Sequence, residues 1–538
     1  MFGIRCSVLG GSLLRDGCRP SKALHRPRTE CRIPILGALI LAGLTGPSAA
    51  RAQEPVGASR YLPLGHWANV YIDRLRDRGY LETLNPLVRP YRRGDVARAL
   101  SDLRPRRLLD PERAWVELLR REFAPELGGR RERTGYAVGG ELVGGVRAAN
   151  TDRLDPLRPT GDGKAWPNGE LGGWLEAGPV AAASRVRSDA WFPDDPDGQD
   201  VGRRLEARSE EAYVSAQFLI ASVFVGRIAR NWGPWGGPGL MLSDEPATYP
   251  QLGFELRAGP LSWSSVLAEL DTVRSARRWL GAHRLDLTPT PDFTVSLGEA
   301  ILYGAPGAGL APRFLNPVAF FFFDHDNAPR DYTMNLMLDL QFWFRKPGLV
   351  LYGEGLLDDI DLNPPKGVTD REPSQYAVRG GIRLPGVSRR ADLSLDYTLV
   401  SAYAYRTLSH VDDYLYLRRG LADNFADFDR LGLRVDLHVG PPGLMLTPTL
   451  TYQRQGEGNV RSPLTFGIVE WRRQPSLFLG VRERTVRAGL AGRYQPTTWL
   501  WAEWDLGENF VSNAGHVSGV DRNQFVALGA AGVRFSFR

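Results

Sequence analysis

Two stretches of the 538-residue chain carry residue types that could do chemistry at close spacing. The first runs Gly226-Arg227-Ile228-Ala229-Arg230-Asn231-Trp232-Gly233-Pro234-Trp235-Gly236-Gly237-Pro238-Gly239, then Leu240-Met241-Leu242-Ser243. Packed Gly and Pro force a compact backbone that cannot join a strand ladder. The faces of Trp232 and Trp235 suit stacking on apolar sugar faces, and Arg230 and Asn231 suit hydrogen bonds to hydroxyls. The alternative is a structural loop folded into a lumen, with both indoles packed as anchors. The second stretch is Leu351-Tyr352-Gly353-Glu354-Gly355-Leu356-Leu357-Asp358-Asp359. It puts Glu354 on one strand face and Asp358 and Asp359 at the strand end, where carboxylates bind a cation or accept sugar hydroxyls. Glycoside cleavage needs two opposed carboxyl groups roughly 5–10 Å apart. Adjacency in sequence gives no reason to expect that opposition.

Other chemistry is hard to place. There is no nucleophile elbow, phosphate-binding lysine loop or paired-histidine zinc helix. His66, His283, His325, His410, His438 and His516 are scattered. The nearest approach to a metal cluster is Asp324-His325-Asp326-Asn327, which reads as a solvated loop beside the phenylalanines at 320–323. No enzyme activity, cofactor or metal is expected.

The first 52 residues read as an export signal. Basic residues run from Arg5 to Arg32, an apolar stretch covers 33–44, and Ala50-Arg51-Ala52 has the small-x-small form of a cleavage site. The apolar run is too short to span a bilayer as a helix. All three cysteines (Cys6, Cys18 and Cys31) lie in this segment, so no disulfide framework is expected afterwards. The segment also holds eight Lys/Arg and two Asp/Glu. Removing them from totals of 67 and 61 leaves 59 of each sign. The processed chain is then neutral, and nucleic-acid binding loses its support.

Two kinds of element must position the candidate residues. Residues 53–130 read as a small helical module. Trp67, Val70, Tyr71, Leu75 and Arg78 follow helical spacing that stops at Gly79, a second helix is expected over 94–103, and a third over 111–123 with Asp110 as its N-cap. From 131 to 538 the period is two. Leu431, Leu433, Val435 and Leu437 alternate with polar residues, as do Leu393, Leu395, Tyr397 and Leu399, then Phe293, Val295 and Leu297. At the C-terminus Phe525, Val533, Phe535 and Phe537 share one face. Aromatics near strand ends (Tyr403 and Tyr405; Trp499, Trp501 and Trp504) suit interfacial girdles. A sheet in lipid must close so that no edge group stays unpaired. The fold class expected is therefore mainly β, a transmembrane antiparallel up-and-down barrel of about 16 to 20 strands. Long outer loops are expected near 152–167, 193–204, 363–373 and 409–429. The location is the outer membrane, in contact with its lipid.

The two stretches resemble the capsule-assembly Wzi family of outer-membrane proteins. The resemblance is carried in order by Asn231-Trp232-Gly233-Pro234 with Leu242-Ser243, by Phe314-Leu315-Asn316-Pro317-Val318, by Asp326-Asn327, and by Tyr352-Gly353-Glu354 with Asp358-Asp359. It implies an 18-stranded barrel closed inside by loops and a periplasmic helical part. It also implies binding of capsular or extracellular polysaccharide without catalysis. Its individual sugar contacts do not transfer, and Arg538 follows Phe537 where such barrels usually end on the aromatic. The helical segment resembles one S-layer homology repeat, through His66-Trp67, Ile72-Asp73-Arg74-Leu75 and Arg89-Pro90-Tyr91-Arg92-Arg93-Gly94. That likeness implies either contact with peptidoglycan, for which His66, Trp67, Arg92 and Arg93 are candidates, or a packing role in the periplasm. The competing functional reading is a porin or solute channel tethered to the wall. A polar lumen with opposed Arg and Asp rows favours the channel, and a lumen filled by 232–243 favours the polysaccharide binder.

Overall fold

The computed structural model describes residues 58–103, 108–128, 135–198, 207–307, 309–316, 319–323, 333–359, 373–441, 443–462, 464, 468–471 and 473–537. The expected export signal and its cleavage site lie outside the described residues, as do Asp326 and Asn327.

Alternating sequence becomes strand from Tyr136 onward. The first nine strands are β1 (Tyr136–Ala149), β2 (Lys164–Ala177), β3 (Val180–Asp189), β4 (Ala207–Gln217), β5 (Ala221–Arg227), β6 (Pro250–Ala258), β7 (Leu261–Glu269), β8 (Ala276–Thr290) and β9 (Phe293–Pro306). The second nine are β10 (Thr333–Lys346), β11 (Leu349–Asp359), β12 (Gln375–Ser388), β13 (Ala391–Val400), β14 (Phe428–Leu437), β15 (Leu444–Gln455), β16 (Glu483–Tyr494), β17 (Leu500–Ser512) and β18 (Asp521–Phe537). Each pairs antiparallel with its sequence neighbour in one 18-stranded sheet. The sheet closes between β18 and β1, with Gly140 opposite Phe537 and Ala149 opposite Leu528. Closure leaves no edge strand, which a sheet in hydrocarbon requires.

The connections differ at the two ends. One end has tight turns such as Gly259-Pro260 and Pro347-Gly348, where Gly259 and Gly348 supply φ values of +58° and +77°. The other carries long connections, among them 150–163, 228–249 and 401–427, with the described parts of 190–206 and 456–482. The described parts of the outer loops expected near 152–167, 193–204 and 409–429 fall at this end, and the one expected at 363–373 lies, save Pro373, outside the described residues.

The apolar faces of the strands point outward. Leu431, Leu395, Leu297, Phe525, Phe535 and Phe537 are all exposed, Phe537 by 58%. Their polar neighbours turn inward: Asp392, Ser394 and Asp436 are buried. This inside-out arrangement is unstable in water and stable against lipid. None of the helices among the described residues is long and apolar enough to cross a membrane; the strands form the crossing. Tyr397, Tyr452 and Trp499 are exposed on the outside, whereas Tyr403 and Tyr405 are buried within a folded-in loop, which corrects their expected girdle role. The reason is that 401–427 turns back into the lumen instead of continuing the wall.

The wall is uneven. β5, β6 and β7 have seven, nine and nine residues, while β1, β2, β10 and β12 have 14 each.

Three helices precede the barrel: α1 (Ala68–Asp77), α2 (Arg93–Ser101) and α3 (Glu112–Glu122), followed by a single turn, α4 (Ala124–Leu127). Gly79 ends α1 at φ +82°, as its position in the sequence predicts. Asp110 does not cap α3; Pro111 occupies the N-cap position, with no side-chain capping bond. The helices share a core of Trp67, Tyr71, Ile72, Val96, Trp115 and Phe123. Their arginines reach the wall near its tight turns. Arg74 Nη2 meets Asp436 Oδ2 at 2.7 Å, Arg78 Nη2 meets Asp392 Oδ1 at 2.5 Å, and Arg76 donates to the Pro291 carbonyl at 2.6 Å. The helical module is thus docked into the turn-side end of the lumen.

Candidate functional site

The lumen is lined unequally. Inward residues of β7 to β12 include an apolar group among their buried polar neighbours: Val266, Ala268, Leu280, Ala282, Leu302, Met337, Leu356 and Ala377 belong to one buried cluster. Across from them β1 to β4 and β16 to β18 present Arg147, Glu170, Arg185, Arg493, Glu503 and Arg534 to a cavity. An apolar wall inside a barrel cannot be left to water. The connection 228–249 covers it by folding inward, with Trp232, Leu240, Met241 and Leu242 completely buried against it.

That connection is the first candidate stretch, and its polar groups are spent on holding it in place. Asn231 forms a bridge with Arg89, backbone N to O at 3.1 and 3.0 Å, and its side-chain Oδ1 accepts from Gly239 N at 3.0 Å. Arg230 Nε donates to Gln251 Oε1 at 2.5 Å. The Trp232 carbonyl accepts from Gln341 Nε2 at 2.8 Å, and the Pro234 carbonyl from Arg379 Nη1 at 3.2 Å. Ser243 donates its hydroxyl to the Ala422 carbonyl, joining this connection to 401–427. Trp235 donates Nε1–H to Asp77 Oδ2 at 3.0 Å, and the guanidinium of Arg383 stacks 4.0 Å from its ring centre. Arg434 and Arg74 approach the same ring at 5.1 and 5.3 Å. Its faces therefore serve the contact between helices and wall.

Two carboxylates of the second stretch, Glu354 and Asp358, are braces too. Glu354 Oε1 accepts from Leu240 N at 2.7 Å and from Gln341 Nε2 at 3.0 Å. Asp358 Oδ2 accepts from Tyr405 N at 2.7 Å. Asp359 ends β11. Asn316 is exposed on the connection after β9, away from these groups, beside the buried Phe314. The structure therefore brings Arg230, Asn231, Trp232, Pro234, Trp235, Ser243, Glu354 and Asp358 together, but as the fastening of an inner core.

The four residues assigned to cell-wall contact are all buried. Arg92 Nη2 meets Glu255 Oε2 and Ser222 Oγ, both at 2.6 Å. Arg93 meets Glu122 at 2.9 Å and Glu126 at 2.7 Å. His66 lies 3.6 Å from Glu122 and stacks near Trp67. Burial holds the His66 imidazole well below its usual pKa, an effect strengthened by nearby arginines. These side chains fasten the module instead of displaying it to a polymer, because the basic helix faces pair with acids of the module and the wall.

Two cavities lie beside this inner core. The inner one, about 680 Å³, lies against the charged wall and is floored by 63–67 of the helical module. Glu245 lines it, its carboxyl pushed up to about 8 by burial and by the neighbouring Asp423. The outer one, about 540 Å³, sits at the loop-side mouth. It is lined by Arg153 and Arg158 of the first long connection, Asp197 of the second, Arg418 and Phe425 of 401–427, and Arg461 of 456–482. Arg153, Arg158, Asp197 and Phe425 line both cavities and separate them. Arg153 grips Asp197 with two bonds of 3.0 and 3.2 Å, and Arg158 lies 4.1 Å from the Phe425 ring. A partly exposed aromatic ring among guanidiniums, at the loop-side mouth, can recognise a sugar by apolar contact and by hydrogen bonds. None of these residues was among the sequence candidates. Their signal was available only as Arg, Asp and Phe within three of the expected long loops, and Arg461 lies in 456–482, which was not among those expected.

No family model matches the sequence, and no curated protein matches it. Solved structures do. Wzi of Escherichia coli, described as an outer-membrane protein involved in group 1 capsule assembly and a carbohydrate-binding β-barrel, superposes with a TM-score of 0.62. The match covers 89% of this chain and 99% of that one at 13% identity. OccAB3 of Acinetobacter baumannii (TM-score 0.44, 11% identity, 75% and 99% covered) and OpdQ of Pseudomonas aeruginosa (0.40, 10%, 75% and 97%) are more distant. The closed 18-stranded wall, its apolar exterior and this superposition together make the chain an outer-membrane β-barrel with the fold of Wzi.

Proposed function

We propose that this barrel is a non-enzymatic protein that binds surface polysaccharide at its loop-side mouth and assists capsule or exopolysaccharide assembly or attachment. The observation that carries the reading is the outer cavity of about 540 Å³, walled by four long connections and backed by a lumen partly filled by 228–249. A cavity of this size holds a few sugar units and is within the range of ligand sites. The carbohydrate binding described for Wzi supports it. The helical module then faces the periplasm, because the tight turns of such barrels lie on that side, and it serves as a plug.

The inner cavity favours a second reading, a solute channel, since arginines and carboxylates oppose one another across it. One experiment separates the two. The purified barrel is reconstituted in planar bilayers and its conductance recorded, and the same preparation is passed over the host's own immobilised exopolysaccharide. Silent bilayers with retention on the polysaccharide are expected. Large stable openings that the polysaccharide leaves unchanged, without retention, would replace this reading with the channel.

A further inference from the structure

The outer cavity has a charge asymmetry that neutral sugar does not need. Arg461 lines it with a side chain only 9% exposed. Its Nε is buried and has no hydrogen-bond partner among the described residues, and Nη2 is held by Asn424. The carboxylate facing it, Asp197, lies 3.7 Å away and is already gripped at 3.0 and 3.2 Å by Arg153. Arg418 projects into the same cavity from a two-residue hairpin turn between Leu415–Tyr416 and Arg419–Gly420. Leu417 and Arg418 both adopt left-handed φ values there, +48° and +70°, where Asn and Gly are the usual occupants. The strained turn displays Arg418 exposed, and among the described residues it forms no ion pair. Two acids on the cavity's lining are turned to the backbone and pair with neither Arg461 nor Arg418 among the described residues: Glu457 accepts from Val481 N at 2.8 Å and Glu483 from Gly515 N at 2.7 Å. Burial pushes the Arg461 guanidinium down to about 10; Asp197 opposes that, and Arg419, Arg153 and Arg418 add to it. A buried cation sharing its counter-ion and surrounded by like charge lacks an anion.

We infer that the outer cavity takes an anionic unit of the polysaccharide, a carboxylate such as that of a uronic acid, between Arg461 and Arg418, with the sugar face against Phe425. This rests on the polysaccharide reading above. Guanidiniums bind a carboxylate through charge-assisted hydrogen bonds, which the exposed Arg418 can supply beside the Arg461 charge. Lipid phosphate is the poorer fit, because the cavity opens inside the ring of loops and the lipid lies across the wall.

The test uses the full-length barrel and one probe in two forms: the host exopolysaccharide, native and after chemical reduction of its carboxyl groups to alcohols. Retention is measured for the parent protein, Arg461→Gln, Arg461→Lys and Arg418→Gln, each checked for folding by its migration without boiling. Arg418 is exposed, so its variant keeps the fold even where Arg461→Gln does not. The expected result is at least tenfold weaker binding of the reduced form, with Arg418→Gln binding the native form about as weakly. Added salt should weaken only the native form. Equal binding of both forms by the parent overturns the anionic subsite and leaves the polysaccharide reading standing. Preference for the native form that survives in folded Arg418→Gln and Arg461→Lys alike overturns the assigned position. Binding of neither form overturns the polysaccharide reading and this inference with it.

Discussion

Trp235 shows how a single residue can look like a ligand contact and act as a joint. Its indole bonds Asp77 of α1 at 3.0 Å and stacks on Arg383 of β12 at 4.0 Å, so one ring connects module and wall. Trp235→Ala should lower stability by about 3–5 kcal/mol, the range for deleting a large packed aromatic. Trp235→Phe should cost about 1 kcal/mol, having lost mainly the N–H donor. Heat-modifiability midpoints on unboiled gels would rank them, and an alanine variant as stable as its parent would refute the role. Asp412 offers a pH test in a loop. It accepts from Thr407 Oγ1 at 2.9 Å, and burial pushes its carboxyl up to about 6 from 3.8 in the unfolded chain. A raised folded value means that its stabilising contribution is complete below 3.8 and is lost as pH rises through 6. Asp412→Asn should therefore gain on the parent at pH 8 and not at pH 4, measured by the same midpoints. At this scale the sequence was a poor guide. Trp, Arg and Asn suit both sugar and packing, and only the partner across space decides; Arg383 and Asp77 are distant in the chain from Trp235.

At the scale of elements, alternation identified β9, β13, β14 and β18 and the outward direction of their apolar faces. The loop 401–427 was recognised as long, but nothing in it revealed that Tyr405 and Tyr414 would turn inward to bond the carbonyls of Leu240 and Met241 at 2.8 and 2.9 Å. Inward folding depends on the apolar cluster inside the lumen, to which several distant strands each contribute one or two residues. The same dependence gives a test. Replacing 232–242 by a short Gly-Ser linker should expose that wall and produce ion-conducting steps in bilayers where the parent is silent; continued silence would show that other elements close the lumen. The helical module supplies a second test through Arg74 and Asp436, at 2.7 Å and both nearly buried. Losing either partner should cost about 3–5 kcal/mol, and losing both should cost less than the sum. A double-mutant cycle measured by urea unfolding would give zero coupling if the pair were idle.

Across the whole molecule, the sign of amphipathicity carries the location. Leu431→Arg, on the outward face of β14, should destabilise by roughly 2–4 kcal/mol near the bilayer midplane, measured by folding into liposomes. A neutral outcome would place that face away from lipid. The uneven wall has a separate consequence for the membrane itself. Seven residues of β5, at about 3.3 Å each and tilted by about 40°, rise only roughly 18 Å, against an apolar band of about 25 Å. The 14-residue β1 and β10, four and five strands away round the wall, exceed that band. Lipid meeting this barrel must therefore be compressed along one flank and relaxed along the other, at fractions of a kcal/mol per Å of mismatch. The protein sits in a lopsided annulus, and the flank of β5 to β7 is where short-chain lipid should gather and the bilayer should be thinnest.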